Sequence, residues 1–291
     1  MCVFCAAYSQ ENSPKLVDFA DNFSLYLANL KTKQTAVNTI DIKANSWITN
    51  KTKIAYQTAV EYPIKIQFKN KEYASPISRN KVITSRYGWR RGRAHKGIDI
   101  DLVTGDSLFA MFDGVVRFSD YSSGHGRTVI VRHFNGLETL YAHLSKYGVK
   151  ENDTVVAGSY LGKGGASGNA RGSHLHLEVT YQGVYINPEY LLNFNEENSI
   201  NAPELWVTKK WTRPELHSSK RQTNIKLLTT EEEVTTYLNK PAKVYIVKKG
   251  DSLSRISARN NISITALCKS NAISRNSKLR IGQRIIIEHV L

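Results

Sequence analysis

Disulfides cannot hold this chain together. It has three cysteines in 291 residues, two of them at positions 2 and 5, so Cys268 stands alone in the body of the sequence and no framework of bridges is available. Long hydrophobic runs are missing as well. Without a stretch of about eighteen apolar residues, no segment is expected to span a bilayer. Acidic residues are scarce, 25 against 40 Lys and Arg, which leaves a formal net charge of +15. A surplus of that size points to a polyanionic or anionic-surface partner, and a nucleic acid or an anionic envelope would fit equally well. The length and the 41% hydrophobic content leave room for two domains with cores of their own.

The amino terminus reads as the end of an export signal. Cys2-Val3-Phe4-Cys5 has C-x-x-C spacing but lacks the strand–helix junction that a redox site needs. A short apolar stretch followed by Ala7-Tyr8-Ser9 before Gln10 resembles a small-x-small cleavage pattern, without a basic n-region. Residues 1–9 are therefore expected to be a signal remnant, and the chain to be exported to the cell envelope. Residues 10–80 form a region of unknown role. Leu16, Ala20, Phe23, Leu27 and Leu30 recur at helical spacing after Pro14, and Ile64, Ile66 and Phe68 alternate like a half-buried strand. Two readings stay open for this region: packing against the next domain, or covering its groove and restraining it.

From about residue 82 to 186, short β-branched and aromatic runs alternate with Gly, Asn, Asp and Ser turns. Asn135-Gly136 between two such runs is a strong hairpin signal. No segment with helical periodicity interrupts them, so a mainly β, antiparallel-sheet domain is expected. Residues 193–242 are polar and mixed in charge and read as a linker, although Trp206 and Trp211 are unusual for a tether. The last 49 residues read as a strand, a Gly-Asp turn, two short helices and a closing strand, a small βααβ unit.

What the chain does have is histidine in a pattern. In an extended His174-Leu175-His176, residues i and i+2 share a face, so both imidazoles can point into one groove while Leu175, Leu177 and Val179 face a core. Far upstream, His95-Lys96-Gly97-Ile98-Asp99 supplies another imidazole and a carboxylate. Two imidazoles and a carboxylate around an open fourth position suit a catalytic zinc ion. A further histidine, His143, lies in the run 140–144.

In order and spacing, Ser85-Arg86-Tyr87-Gly88-Trp89-Arg90, His95-x-Gly97-x-Asp99, Tyr141-Ala142-His143-Leu144 and Gly172 to Glu178 resemble the lysostaphin-type M23 zinc endopeptidases over residues 81–192. The resemblance implies one Zn2+ bound by His95, Asp99 and His176, with His143 and His174 as catalytic histidines that do not bind metal. It also implies a peptide bond of bacterial peptidoglycan, in a stem or cross-bridge, as the substrate. Some relatives lack these residues and act only as activators of other wall hydrolases; here all five are present. Likewise, Tyr245 to Leu253, Asn271, Ile273 and Leu279-x-x-Gly282-Gln283-Arg284 resemble the LysM carbohydrate-binding module over residues 243–291. That likeness implies that Gly250, Asp251, Ser252, Asn271 and Ile273 flank a groove for N-acetylglucosamine-containing glycans. Five Lys and five Arg against Asp251 and Glu288 give this unit a net +8, about half of the chain's excess.

The remaining candidates are weaker. Tyr87 and Arg90 precede the first ligand and could touch substrate. Glu178 would share the face of His174 and His176, either orienting an imidazole or forming an ion pair. His125 and His133 read as loop and strand-end residues, and His217 and His289 as linker and tail. The run Gly162 to Gly168 lacks the Gly-Lys-Ser/Thr ending of a phosphate loop and reads as a groove wall. No His-Glu-x-x-His occurs, so His143 or His174 is expected to act as general base. A nucleic-acid binder is disfavoured because the basic excess sits largely on the C-terminal unit. The chain is taken to act as a monomer.

Overall fold

The structure, a computed structural model, describes residues 42–44, 46–90, 92–239, 243–260 and 262–288. The expected signal remnant and the helix read over 16–30 lie outside the described residues, as does His289. The molecule is mainly β, as the sequence pattern predicts. Its centre is an eight-stranded sheet whose path runs Thr154–Val155, Gly114–Ser122, Gly126–His133, Leu137–Leu144, His174–Tyr181, Ile98–Asp101 and Ile83–Ser85, with Val184–Ile186 paired to His174–Tyr181. All of these pairings are antiparallel. The hairpin expected at Asn135-Gly136 joins Gly126–His133 to Leu137–Leu144, with Gly136 at φ 83°, a conformation that glycine adopts without strain.

Alternation assigns the two faces of this sheet. Leu175, Leu177 and Val179 are fully buried with Ile98, Ile100 and Tyr141 in the main core. Burying each such aliphatic side chain is worth about 1.5–3 kcal/mol. A register slip of one residue would turn that whole row outward, so the pairing is firmly set. His174, His176, Glu178 and Thr180 consequently share the opposite face. On that face a small separate cluster of Phe118, Ile130, Leu140 and Ala142 lines the floor.

The segment 193–242 departs from the expected tether. Glu204–Val207 pairs antiparallel with Ile64–Gln67, the alternating strand read upstream. Trp206 and Trp211 are both buried; Trp211 stacks on Tyr190 at 4.4 Å between ring centroids and on His217 at 5.2 Å. Leu228 and Val234 are buried too. Two indoles offer more apolar area than a polar segment can leave in water, and they fasten it to the domain. The helix Glu231–Leu238 then begins at Thr230, whose side chain accepts the Glu233 N–H, with three acidic residues in its first turn where the helix dipole favours them.

Upstream, residues 46–56 cross the groove face of the sheet. Arg117, fully buried, donates to the carbonyls of Ile48 and Lys51 at 2.8 Å and of Thr52 at 3.0 Å. Its other contacts go to Glu138, at 2.6 and 3.0 Å, and Arg132 reaches the same carboxylate at 2.8 Å. Arg132 also sits 5.2 Å from the centroid of Trp47.

The C-terminal unit is βααβ. Lys243–Ile246 pairs antiparallel with Arg284–Glu288, and the helices Leu253–Arg259 and Ile264–Ser270 lie between them in sequence. Each helix starts at a serine, Ser252 or Ser263, whose Oγ accepts a first-turn N–H. Val247, Leu253, Ile256, Leu267, Cys268, Ile285 and Ile287 form its core, with Leu279 packed at the edge. Lys269 Nζ reaches Glu215 Oε1 at 3.3 Å, a link to the segment before it.

Candidate metal centre and active site

Three strands bring the histidine cluster together. Asp99 lies opposite His176 across the pairing of Ile98–Asp101 with His174–Tyr181. His95 ends the short strand Arg93–His95, one turn of chain earlier. Gly97 between them permits the approach: a Cβ there would collide with the carbonyl of Leu177, on the very strand that carries the two histidines. His95, Asp99 and His176 are 3–6% exposed. Their donor atoms converge, with His95 Nε2 2.9 Å from Asp99 Oδ1, His176 Nδ1 2.8 Å from the same oxygen, and the two nitrogens 3.1 Å apart.

The atoms that face away from this centre are tied down. His95 Nδ1 lies 2.7 Å from the Arg86 carbonyl and so carries the proton it donates, which leaves the Nε2 lone pair for a metal. His176 Nε2 lies 3.2 Å from Glu178 Oε1, which directs Nδ1 to the centre in the same way. Asp99 Oδ2 accepts from Arg90 Nη1 at 2.7 Å, so Oδ1 alone is turned inward. A hydrogen bond on the distal atom of each ligand is the arrangement that fixes tautomer and ring orientation at metal sites.

The electrostatics follow from burial and partners. Burial by itself would raise the pKa of Asp99, but without a metal a proton on the facing nitrogens of His176 and His95 hydrogen-bonds the carboxylate and holds it well below the usual carboxylate range. Burial likewise raises Glu178, and bonds from His125 and His176 override it, bringing it down to about 2. His176 is opposed by burial yet pushed up to about 9 by Asp99 and Glu178. A cation replacing the proton on Nδ1 would meet the Asp99 carboxylate, while Glu178 holds Nε2 from behind.

His143 reaches the groove by a backbone device. Ala142 lies opposite His176, so strict alternation would send the next side chain to the core side. At φ 65°, a conformation uncommon outside glycine and asparagine, the chain turns and the His143 ring centroid lies 4.7 Å from that of His174 and 5.9 Å from that of His176. Its Nδ1 is 2.8 Å from the Ser167 carbonyl, at the end of the glycine-rich run, which thus forms a wall of the groove. Burial brings its pKa down to about 4. The imidazole is therefore neutral near pH 7, with its proton on Nδ1 and a free lone pair on Nε2. His174 has the same tautomer, since Nδ1 lies 2.9 Å from the Gly172 carbonyl, and its Nε2 is 3.8 Å from Asp99 Oδ1.

Other candidates fall elsewhere. Tyr87 is 1% exposed with its ring against His217. It belongs to the core rather than to the groove, because its neighbour Gly88 presses directly on the backbone of His217 and Ser218. Arg90 acts on the Asp99 carboxylate. His133 and His217 are buried scaffold residues, bonded to Asp113 and Thr139 and to Lys210 and Thr223. His125, read from sequence as a loop residue, stands at the site. Its ring stacks on His176 at 5.6 Å, its Nε2 is 3.6 Å from Glu178 Oε1, and its carbonyl accepts the His143 N–H at 2.9 Å.

In the C-terminal unit, the expected glycan residues are mostly engaged within the fold. Asp251 accepts from Tyr245 Oη at 2.6 Å, the Lys248 N–H at 2.8 Å and Arg259 at 3.0 Å. The Asn271 side chain donates to the Leu267 and Ile286 carbonyls and accepts the Ile286 N–H. Ser252 caps a helix, Ile273 packs on the core, and Gly250 forms the turn at φ 85°.

Residues 93–188 match the model of Peptidase family M23, and residues 245–288 match that of the LysM domain. The chain carries an M23 peptidase domain and a LysM domain. The DD-carboxypeptidase/endopeptidase Mpg of Neisseria meningitidis is 39% identical over 112 residues, 36% of this chain and 26% of that protein. The murein hydrolase activator NlpD of Escherichia coli is 34% identical over 109 residues, 37% of this chain and 28% of that protein. Among solved structures, a mutant catalytic domain of the prophage-encoded M23 protein EnpA from Enterococcus faecalis is 32% identical, with a TM-score of 0.36 over 40% of this chain and 95% of that one. The chain spans about a quarter of the length of the curated relatives it matches. No helix among the described residues is long and apolar enough to cross a membrane.

Proposed function

We propose that the M23 domain is a zinc-dependent peptidase that hydrolyses peptide bonds of bacterial peptidoglycan outside the cytoplasm, while the LysM domain retains it on the wall. The observation that carries this reading is the convergence of His95 Nε2, Asp99 Oδ1 and His176 Nδ1 within 2.8–3.1 Å of one another, each ligand held from behind. Two imidazoles and one carboxylate oxygen make a donor set that zinc favours, with room for a fourth ligand. Zinc bound there would supply a Lewis acid for the scissile carbonyl and for water.

The chain's own groups account for the protons. His143 and His174 each donate Nδ1–H to a backbone carbonyl and keep Nε2 open to the groove. Each is therefore able to accept a proton there and later return it to the leaving amine. Their rings lie 4.7 Å apart, so one peptide group can meet both. Arg90 and Glu178 orient Asp99 and His176 without facing the substrate themselves.

In the LysM domain the side chains of Asp251 and Asn271 are occupied within the fold. Glycan contacts would then come from main-chain groups and apolar surface beside Gly250 and Ile273, with the unit's net +8 adding attraction to an anionic wall. A non-catalytic role as an activator of other hydrolases is the second reading, favoured by the likeness to NlpD.

Digestion of purified peptidoglycan of known cross-bridge, with products identified by mass spectrometry, separates the two. The peptidase reading expects new peptide termini that disappear with a chelator and return with zinc. Intact peptides from the chain alone, with faster release by an added amidase, would establish the activator instead.

A further inference from the structure

Glu178 steadies the distal nitrogen of His176, so the question is what steadies Glu178. Its side chain is buried, and among the described residues no lysine or arginine pairs with it. Glu138, on the adjacent strand Leu137–Leu144, is gripped by both Arg117 and Arg132. A buried carboxylate served by one imidazole N–H is left short of partners, and that shortage is costly. The second partner is His125. Its Nε2 lies 3.6 Å from Glu178 Oε1, the same oxygen that faces His176 Nε2 at 3.2 Å. The His125 ring stacks on that of His176 with 5.6 Å between centroids and 20° between planes.

A turn whose backbone is firmly held brings His125 to this place. It lies between Gly124 at φ 87° and Gly126 at φ 69°, conformations that glycine adopts freely. The glycine-rich run clasps this turn. The Asn169 N–H donates to the Gly124 carbonyl at 3.0 Å, and the Arg127 N–H donates to Ser167 Oγ at 2.9 Å. The same clasp holds His143, whose N–H donates to the His125 carbonyl at 2.9 Å and whose Nδ1–H donates to the Ser167 carbonyl at 2.8 Å. The backbone of residue 125 thus fixes a proposed acid–base group, while its ring reaches the support of a proposed metal ligand.

We propose that His125 is a positioning residue of the metal centre. Its Nε2 donor holds the Glu178 carboxylate against His176 Nε2, and through that carboxylate it keeps His176 Nδ1 aimed at the metal. The inference rests on the zinc-peptidase reading and adds His125 to the groups that act from behind the ligands. The donor atom carries the role rather than the shape of the ring. His125 touches no reacting atom, so its effect is read first in the grip on the metal.

A double-mutant cycle on zinc affinity tests this without turnover. Competition with a chromophoric chelator gives the affinity of the full chain, of His125→Phe, His125→Gln and Glu178→Gln, and of the His125→Phe, Glu178→Gln double variant. His125→Phe keeps a ring to stack and removes the donor, so affinity should fall about tenfold, the lower end for groups that support a ligand. His125→Gln keeps a donor near the place of Nε2 and should stay within about twofold of the unaltered chain. In the Glu178→Gln background, His125→Phe should cost no more than about twofold further, because its effect runs through the carboxylate. Losses that multiply in the double variant overturn the proposal, as does unchanged affinity in either His125→Phe or Glu178→Gln. Equal losses in His125→Phe and His125→Gln overturn it as well, since the ring then only packs the turn. An unaltered chain that binds no zinc defeats this role and the zinc reading together. The peptidase reading fails separately: a chain whose zinc affinity follows the expected pattern yet releases no peptide termini from peptidoglycan keeps the positioning role and loses the activity.

Discussion

Around His176, buried polar side chains point at one another across a shared open position; around Asn271, a half-buried amide points into neighbouring backbone. The first arrangement gathers two imidazoles and a carboxylate within 3.1 Å and leaves lone pairs that only a proton or a cation can satisfy. The second uses up every polar group of the Asn271 amide on neighbouring main chain. Buried polar groups without partners are costly. A fold tolerates convergence like that at His176 only where a ligand can complete it, whereas the Asn271 pattern is complete already. The difference is that the sheet side chains around His176 keep donor atoms for a ligand, whereas the Asn271 amide has none to spare.

The sharpest way to break the comparison is at His176. His176→Ala removes one of three proposed ligands, and the two that remain should hold zinc too weakly for occupancy. Metal content by elemental analysis and activity should both fall to background. Full zinc occupancy in that variant would dismiss the assignment. The neighbouring histidines should behave differently. His143→Ala and His174→Ala should keep the metal and lose about 10²–10⁴-fold in turnover each, the usual contribution of a general acid or base. Loss of metal in either variant would make that residue a ligand.

A smaller effect is expected from behind the ligands. Glu178→Gln keeps the shape but weakens the grip on His176 Nε2, and zinc affinity should drop about 10–100-fold, as is usual for such supporting groups. Competition with a chromophoric chelator measures it. Unchanged affinity would mean that Glu178 serves only the ion pair with His125.

Much of this site was legible because its signals are local. The His-x-His spacing needs only strand alternation, and Gly97 marks a close approach within one short motif. His125 was not legible in that way. Its place against His176 depends on how the loop at 124–126 meets the glycine-rich run, where Gly126 and Gly168 touch so closely that neither tolerates a Cβ; no spacing rule encodes that contact. Tyr87 shows the converse: a tyrosine near a ligand motif looks available, but the packing of Gly88 on a segment 129 residues downstream encloses it. Residues 193–242 read as polar on average, and averages conceal what two buried tryptophans can do.

A further test sharpens the contrast between scaffold and site through pH. Burial lowers His133, His143 and His217 to about 4 each, against an ordinary value near 6.5. The unfolded chain then binds more protons than the folded one between those values. The stability these three histidines contribute should be fully present above about pH 6.5 and fall as the pH drops toward 4, by up to about 1.4 kcal/mol per pH unit for each. Urea unfolding at pH 7 and pH 5 reads the slope. His133→Gln, remote from the groove, should lower it by about a third, and an unchanged slope would show that His133 accepts its proton without loss.

The smallest effect on the chemistry should come from removing the LysM domain. Deletion of residues 243–291 takes away the Lys269–Glu215 contact but none of the atoms around His176. Cleavage of small soluble muropeptides should therefore stay within about twofold of the intact chain, while pelleting with insoluble peptidoglycan should weaken, because a tethered binding module acts by raising local concentration. Salt separates the two means of retention. Ten basic residues against two acidic ones give an attraction that is screened over about 8 Å at physiological ionic strength. Contacts of main chain and apolar surface with a glycan are not screened. Pelleting of the intact chain should thus decline in 1 M salt, where the screening length is about 3 Å, and level off above that of the deleted form. Complete loss at high salt would reduce the LysM domain to a charged patch. The contrast with the metal centre would then be one between chemistry and bulk charge, with no second recognition site in the molecule.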